Sequence, residues 1–180
     1  MKKSAFISIV LIAFSTTVFS QLKEKDNLLG LSLGLWPAHN SPILGVNFES
    51  NISQAGPGVF GIGGIFRYYT YNIQYSNGDS RRYTFTSFGF QANYNFNQIG
   101  DGKFVPYVGL VLGYNSINNS YTDFTKHGVY YSDVSYTSGA WIWGQAGMRY
   151  FFSNKVAGTA RLGLGNNDLI SLELGVDFKL

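Results

Sequence analysis

Residues 170–180 read Ile-Ser-Leu-Glu-Leu-Gly-Val-Asp-Phe-Lys-Leu, so that apolar residues alternate with polar or small ones without a break. Successive side chains of a β-strand point to opposite faces, and the pattern therefore predicts a strand with one apolar face. Residues 29–35 repeat the pattern, with leucine at every odd position and glycine or serine between. We find no stretch with the 3.6-residue period and the caps that are typical of a helix. The chain is therefore predicted to be all-β.

The same alternation divides the chain into eight predicted strands. Their ranges are 28–36, 43–51, 59–71, 83–96, 104–115, 136–152, 156–165 and 169–180. One face of each segment is apolar and carries no charge. The opposite face carries many glycines and most of the charged residues, among them Glu49, Arg67, Arg149, Arg161, Glu173 and Asp177.

The glycines indicate which face points inward. A water-exposed strand face has no need of them, because glycine weakens a strand. The interior of an eight-stranded barrel is narrow, and small residues make room there for larger ones. The charge-free face then faces lipid and the charges form ion pairs inside. The pattern favours an eight-stranded antiparallel up-and-down transmembrane β-barrel over a soluble barrel with an apolar cavity.

Two short turns fix the register of the last three strands. A three-residue turn at 166–168 places Arg161 directly opposite Glu173, both facing inward. A second turn at 153–155 places Arg149 on the same interior wall. We therefore expect Arg149, Arg161 and Glu173 to form one cluster, in which Arg161 is the partner of the Glu173 carboxylate.

The first twenty residues have the pattern of a secretory signal peptide. Lys2 and Lys3 precede a short apolar run at 5–14, and small or modest residues lead to a cleavage point after Ser20. We expect residues 1–20 to be removed and residues 21–180 to form the barrel domain. Loss of the two lysines leaves 11 basic against 10 acidic residues, which lowers the formal net charge from +3 to +1. This balance gives no reason to expect a nucleic-acid partner.

Little in the sequence predicts chemistry at a site. The absence of cysteine excludes disulfides, thiolate metal sites and a cysteine nucleophile. The two histidines, His39 and His127, are far apart in sequence, and we expect neither a metal nor another cofactor. His39 and Ser41 have a spacing similar to that of lipid A deacylases, but prolines flank them and place the pair in a loop. We therefore expect no enzymatic activity, with a lipid A-modifying enzyme as the alternative.

Two predicted loops, 72–82 and 116–135, are rich in tyrosine, asparagine, serine and threonine. This composition suits adaptable recognition of an extracellular ligand, and it is equally typical of ordinary outer loops. The candidate binding aromatics are Tyr71, Tyr75, Tyr121, Tyr130, Tyr131 and Tyr136. Aromatics expected near the membrane interfaces are Trp36, Tyr68, Phe96, Phe104, Trp141, Tyr150 and Phe178.

The chain resembles the small eight-stranded outer-membrane barrels of the OmpA and OmpX type, particularly the single-domain proteins common in Bacteroidetes. The resemblance covers residues 21–180. Residues 105–114 (Val-Pro-Tyr-Val-Gly-Leu-Val-Leu-Gly-Tyr), residues 145–151 (Gln-Ala-Gly-Met-Arg-Tyr-Phe) and the terminal strand carry it. In such proteins the barrel-assembly machinery reads the last strand, usually through a terminal aromatic; here Leu180 is terminal and Phe178 lies two residues earlier.

The resemblance implies a cellular location, and it says little about activity. It implies the outer membrane of a Gram-negative bacterium, with outer-membrane lipid, lipopolysaccharide and the assembly machinery as partners. In the outer membrane we expect a non-enzymatic protein with a role in membrane integrity or in binding through surface loops. A narrow pore for small solutes is a further alternative, although the lumen of an eight-stranded barrel is filled by side chains.

Overall fold

The structure is a computed structural model, and it describes residues 22–36, 41–74, 80–98, 102–122, 137–165 and 170–180. The strands are β1 (Asn27–Trp36), β2 (Ser41–Ala55), β3 (Gly58–Gln74), β4 (Ser80–Asn95), β5 (Phe104–Thr122), β6 (Gly139–Phe151), β7 (Val156–Gly165) and β8 (Ile170–Lys179). Among these residues no helix has the length and apolar character needed to cross a membrane.

The strands form one closed barrel in which each strand pairs with its neighbours along the chain. All pairs are antiparallel, and β1 closes the barrel by pairing with β8. The all-β, eight-stranded up-and-down fold is therefore confirmed. The register of the last hairpin is also confirmed, since Leu164 pairs with Ile170 and Arg161 with Glu173.

The two faces of the barrel are the reverse of those of a soluble protein. Large apolar side chains cover the outside, such as Leu110, which is 62% exposed, and Phe90, which is 83% exposed. Charged and amide side chains lie inside, and Glu49 is fully buried. An apolar band of this extent is unfavourable against water and typical of a surface that faces lipid.

One end of the barrel, the turn end, holds the start of β1, the end of β8 and the turns after β2, β4 and β6. The first described residues seal it from inside. Leu22 is fully buried against Val59 and Phe151. Its carbonyl oxygen accepts a hydrogen bond from Asn97, while Asp26 forms an ion pair with Lys179 at 2.6 Å. The N-terminal segment therefore closes the lumen at this end.

The opposite end, the loop end, differs from the sequence-based expectation. The pairing of β2 with β3 stops at Tyr69, whereas β3 continues beside β4 to Gln74. On the other side, β5 leaves β6 at Asn115 and continues beside β4 to Thr122. Residues 70–74, 80–84 and 116–122 thus form a three-stranded projecting sheet, which extends beyond the rim by roughly 15–25 Å at about 3.3 Å per residue.

Most of the predicted loop 72–82 and the first part of 116–135 are therefore strand. The sequence predicts loops here because the outward side chains are polar, and hydropathy no longer alternates along a strand that extends beyond the apolar band. What remains between the strands, residues 75–79 and 123–136, lies outside the described part of the chain.

Two of the expected interface aromatics lie inside the barrel. Trp36 is 1% exposed and Trp141 is 3% exposed. Each follows or precedes a lipid-facing residue in its strand, Leu35 and Ile142, and the alternation of a strand then directs the tryptophan inward. The interior is thus richer in aromatics than predicted from the sequence.

Candidate functional site

The six charged residues expected in the lumen are all buried inside the barrel, on β2, β3, β6, β7 and β8. Glu49, Arg67, Arg149, Arg161, Glu173 and Asp177 comprise three guanidinium groups and three carboxylates. Their formal charges therefore cancel, which buried charges require in order to be tolerated. The structure arranges them as two groups, one above the other.

The upper charge group consists of Arg67, Arg161 and Glu173. Nε of Arg67 donates to Oε1 of Glu173 at 2.9 Å, and its Nη2 lies 2.8 Å from Oε2. This bidentate pair joins β3 to β8 across the lumen. Nη2 of Arg161, from the adjacent strand, is 3.9 Å from the same Oε2. Ser32 also donates to Oε2, at 2.9 Å.

Arg67 is therefore the principal partner of Glu173. The expected ion pair between Arg161 and Glu173 is also present, but at the longer distance of 3.9 Å. Register identifies neighbours along a ladder, but an arginine is long enough to reach across a narrow barrel. Arg161 also donates to the amide oxygen of Asn47 at 3.0 Å and to that of Gln145 at 3.4 Å.

The lower charge group consists of Arg149, Glu49 and Asp177, nearer the turn end. Nε of Arg149 donates to Asp177 at 2.6 Å, and Nη2 donates to Glu49 at 2.8 Å. The guanidinium carbon lies 4.3 Å from the centre of the Tyr107 ring. Glu49 accepts further hydrogen bonds from the amides of Asn93 at 2.7 Å and Asn95 at 2.6 Å. Charge-assisted bonds of this kind are about twice as strong as neutral ones.

The two turns predicted one cluster of Arg149, Arg161 and Glu173. The structure shows that Arg149 belongs to a different group. The inward residues Arg149 on β6 and Arg161 on β7 lie on the same wall of the barrel. They are at different heights along the barrel axis, because Arg149 pairs with Thr159 and Arg161 with Gly147. A layer of buried amides connects the two groups. Gln145 donates to Asn93 at 2.7 Å, and Asn93 in turn donates to Glu49.

These buried amides were not predicted from the sequence. The signal was present in residues 90–96, which read Phe-Gln-Ala-Asn-Tyr-Asn-Phe. Gln91, Asn93 and Asn95 alternate there with outward residues and therefore point into the lumen with Glu49.

An aromatic plug closes the lumen at the loop end. It consists of Trp36, Ile43, Tyr69, Tyr83 and Phe85. The Trp36 ring lies edge-on to Tyr69 and Phe85 at centroid distances of 5.1 and 5.5 Å, and Tyr69 stacks on Phe85 at 4.5 Å. Edge-to-face and offset stacked rings are the preferred aromatic geometries. The plug therefore covers the polar interior with apolar surface.

Interior glycines leave space for large side chains from neighbouring strands. A Cβ atom on Gly163 would lie 1.8 Å from the Nε1 and Cε2 atoms of Trp143. A Cβ atom on Gly45 would lie 2.2 Å from the Ser32 hydroxyl and 2.8 Å from Arg67. The glycine-rich face thus packs large side chains, as the narrow-interior argument requires.

The candidate loop aromatics are not assembled into a site by the described residues. Tyr71 lies on β3, half-buried, and packs against the aromatic plug. Tyr121 lies on β5, and its side chain is outside the description. The others, Tyr75, Tyr130, Tyr131 and Tyr136, fall in the undescribed segments.

The described residues also bring together no cluster of metal-ligating side chains. No three histidine, aspartate or glutamate side chains come together there in a way that could hold a metal ion. His39 and His127 lie outside the description. Ser41 is the first residue of β2 and not part of a loop; it pairs with Trp36 and is buried. This Ser41 position corrects the sequence-based placement.

Comparison with known proteins gives structural matches alone. No protein-family model and no curated protein matches the chain. The barrel is similar to a de novo designed transmembrane β-barrel, with 14% identity over 89% of this chain and 99% of the design, at a TM-score of 0.58. It is similar to OprG of Pseudomonas aeruginosa, with 11% identity over 91% and 99% of the two chains, at a TM-score of 0.58.

A third similar structure is the N-terminal β-barrel domain of Pseudomonas aeruginosa OprF, with 14% identity over 87% of this chain and 98% of that domain, at a TM-score of 0.56. At such identities the likeness concerns the fold. The resemblance to small outer-membrane barrels is confirmed at that level, and the chain has the closed eight-stranded antiparallel fold of transmembrane β-barrels.

Proposed function

We propose that this protein spans the bacterial outer membrane as a barrel domain, residues 21–180, after removal of the leader 1–20. The observation that carries the proposal is the inverted polarity of the barrel, with its apolar side chains outside and its charges inside. Lipid and lipopolysaccharide are then its surroundings, and the barrel-assembly machinery inserts it.

Cell fractionation tests this location. The protein should sediment with outer-membrane markers, resist extraction by urea or carbonate, and migrate faster on a gel when it is not heated. Recovery of a soluble periplasmic protein with the same mobility before and after heating would overturn the proposal. N-terminal sequencing of the purified protein tests cleavage after Ser20.

We further infer a non-enzymatic role, in membrane integrity or in binding through the loop end. The interior side chains are engaged in hydrogen bonds and ion pairs with one another, as in a structural core. Ser41 faces the lumen and not the lipid, so it is poorly placed to attack a lipid acyl group. An unchanged lipid A mass spectrum after deletion and overexpression is the expected result, and altered acylation would favour the enzymatic alternative.

The projecting sheet is the observation that favours binding at the loop end. Its outward side chains are polar, including Asn72, Arg82 and Asn118, and Arg82 donates to Asn72 at 3.0 Å. Its inward side chains, such as Tyr71 and Ile117, pack on the aromatic plug. The sheet is therefore a packed support that extends β3, β4 and β5 beyond the membrane, where an extracellular ligand is accessible.

A complementation experiment separates the two roles. A deletion strain receives the wild-type gene or a variant in which 123–136 is replaced by a short glycine-serine turn. Outer-membrane leakiness is measured by uptake of a hydrophobic dye, and heat-dependent mobility verifies that each barrel is folded. Restoration by both genes supports an integrity role of the barrel. Restoration by the wild type alone supports a role of the loop end.

A further inference from the structure

The lysines among the described residues all lie at the turn end of the barrel. Each lies shortly before a strand or at its end, and together they form the lysine arc, which consists of Lys23, Lys25, Lys103, Lys155 and Lys179. The arginines among the same residues lie elsewhere, either in the lumen or at the start of β4 on the projecting sheet. The lysine arc is therefore separate from the ion pairs of the lumen.

Contacts at the ends of the strands place members of the lysine arc next to one another. The backbone nitrogen of Phe151, at the end of β6, donates to the carbonyl oxygen of Lys103 at 2.9 Å. That of Lys179 donates to the carbonyl oxygen of Lys155 at 2.8 Å, and the side chain of Lys179 forms the ion pair with Asp26. The arc thus runs from the start of β5, past the turn between β6 and β7, to β8 and the segment before β1.

Carboxylates balance the lysine arc only in part. Outside the lumen, the described residues of the turn end include Glu24 and Asp26, and the sequence adds Asp101 in the undescribed part of the turn after β4. Five ammonium groups against these three carboxylates leave an excess of two positive charges. The arc is therefore an electropositive part of the surface.

Three lysines of the arc are exposed and form no ion pair within the described part of the chain, namely Lys23, Lys25 and Lys155. Lys155 lies directly beside Lys179 at the end of the neighbouring strand β8. Like charges in such positions weaken the pairing of strands. An anion from outside the chain would offset this repulsion and hold the exposed ammonium groups.

Aromatic side chains on the lipid face fix the depth of the arc. Phe104 directly follows Lys103 and Phe178 directly precedes Lys179, and these two phenylalanines are 39% and 40% exposed. Aromatic girdles mark the interfaces of transmembrane barrels. One residue along a strand corresponds to about 3.3 Å. The lysines therefore lie just beyond the girdle, at the level of lipid headgroups.

The other side of the turn end is neutral. Residues 52–58 and 96–98, in the turns after β2 and β4, carry no charge. Aromatic side chains lie on the lipid face there as well, and the rings of Phe60 and Tyr94 have centroids 4.9 Å apart. The lysines are thus confined to one side of the barrel and do not simply accompany the aromatic girdle.

We propose that the lysine arc binds the phosphate groups of anionic phospholipids in the membrane leaflet at the turn end. This inference rests on the proposed location of the protein in the outer membrane. The excess of positive charge and its position one residue beyond the lipid-facing aromatics support it. Lysine carries a compact charge on a flexible stem, which suits phosphates that move with the lipid. A soluble polyanion would meet the same charges, but the depth of the arc favours lipid.

Electron spin resonance of spin-labelled lipids tests the proposal. The folded barrel is reconstituted in phosphatidylcholine vesicles, in phosphate-free buffer, with a trace of labelled phosphatidylglycerol or labelled phosphatidylcholine. Association of phosphatidylglycerol with the wild-type protein should exceed that of phosphatidylcholine by about threefold or more. The excess should vanish in about 1 M salt, where the screening length is about 3 Å.

Substitution of the three exposed lysines separates the effect of charge from that of the fold. The triple variant Lys23→Gln, Lys25→Gln, Lys155→Gln should bind the two lipids about equally. The matched control Lys23→Arg, Lys25→Arg, Lys155→Arg keeps the charge and should retain the preference. Heat-dependent mobility verifies that each sample is folded.

The outcomes distinguish this inference from the proposed location. A folded wild-type barrel without preference for phosphatidylglycerol, or a preference that the glutamine variant retains, would overturn the lipid site and leave the membrane location intact. Failure of the wild-type protein to insert into vesicles would overturn both. Lysine-dependent sedimentation of the micelle-bound protein with purified peptidoglycan, without a lipid preference, would replace phospholipid by that polymer as the partner.

Discussion

The Glu173 carboxylate shows how much a single residue can connect in this barrel. It accepts hydrogen bonds from Arg67 and Ser32, and it forms a longer ion pair with Arg161 at 3.9 Å. Each partner comes from a different strand. Removal of a partner leaves a buried charge without compensation, which costs far more than the pair contributes when intact.

Replacement of the two arginines by alanine should therefore have unequal effects. Arg67→Ala should lower the free energy of unfolding by about 3–5 kcal/mol, because it removes the nearest cation from the buried Glu173 carboxylate and leaves Arg161 at 3.9 Å as its remaining positive partner. Arg161→Ala should cost clearly less, because the bidentate pair with Arg67 remains. Urea titration in detergent micelles, followed by tryptophan fluorescence, measures both. A larger loss for Arg161→Ala would contradict the assignment of Arg67 as the main partner.

Two glycines near the same hairpin allow a matched comparison of the faces. Gly163→Ala should destabilise the barrel by about 1–3 kcal/mol, because its new methyl group collides with the rigid Trp143 ring. Gly144→Ala places a methyl group on the open outer face, with its nearest contact at 3.8 Å. It should be neutral or slightly stabilising. Thermal unfolding of the two variants measures the difference in stability. Equal losses of stability would contradict the conclusion that the interior glycines leave space for large side chains.

At the scale of an element, β5 crosses from one environment to another. Its outward residues Leu110, Leu112 and Tyr114 are apolar and exposed, and those beyond the rim, such as Asn118, are polar. The change in composition along a continuous strand marks the border of the apolar band. The projecting sheet begins at this border.

Lysine substitutions on β5 should locate that border. Leu112→Lys should reduce the stability of the barrel in lipid vesicles by about 2–4 kcal/mol, since the side chain faces hydrocarbon. Asn118→Lys should change it by less than about 1 kcal/mol near or beyond the interface. Folding titrations into vesicles give both values. Similar losses at the two positions would mean that the band continues along the projection.

Alternation and turn chemistry were sufficient to predict the elements, their pairing and the inward face, because each depends on residues that are neighbours along the chain or across one turn. The Arg67–Glu173 pair was missed because it crosses the lumen between strands that are not adjacent. The projecting sheet was missed because alternation of hydropathy fades where both faces meet water. Trp36 and Trp141 lie inside the barrel, because their positions in the alternation of the strand, and not the preference of tryptophan for membrane interfaces, determine where they point.

At the scale of the whole molecule, the lumen is filled from end to end in the part of the barrel that the structure describes. Leu22 and its neighbours close the turn end, the charged groups and amides occupy the middle, and the aromatic plug closes the loop end. An eight-stranded barrel has just enough interior for such packing.

The intact barrel should therefore show negligible ion conductance in planar lipid bilayers. The reason is that ions would have to displace both the apolar plug and the ion-paired column. Heat-dependent mobility of the reconstituted protein verifies that folded barrels were tested. Discrete and reproducible current steps from a folded sample would favour the pore alternative.

The distribution of charge along the chain has a consequence for the order in which the barrel is completed. The last strand, β8, supplies Glu173 and Asp177, two of the three buried carboxylates among the described residues. In the described part of β1–β7, Arg67, Arg149 and Arg161 are buried with the single carboxylate of Glu49. Addition of β8 closes the two open edges and neutralises the interior in the same step. A barrel that lacks β8 thus has an excess of positive charge on its interior face. The carboxylates of Glu173 and Asp177 neutralise this charge when β8 is in place.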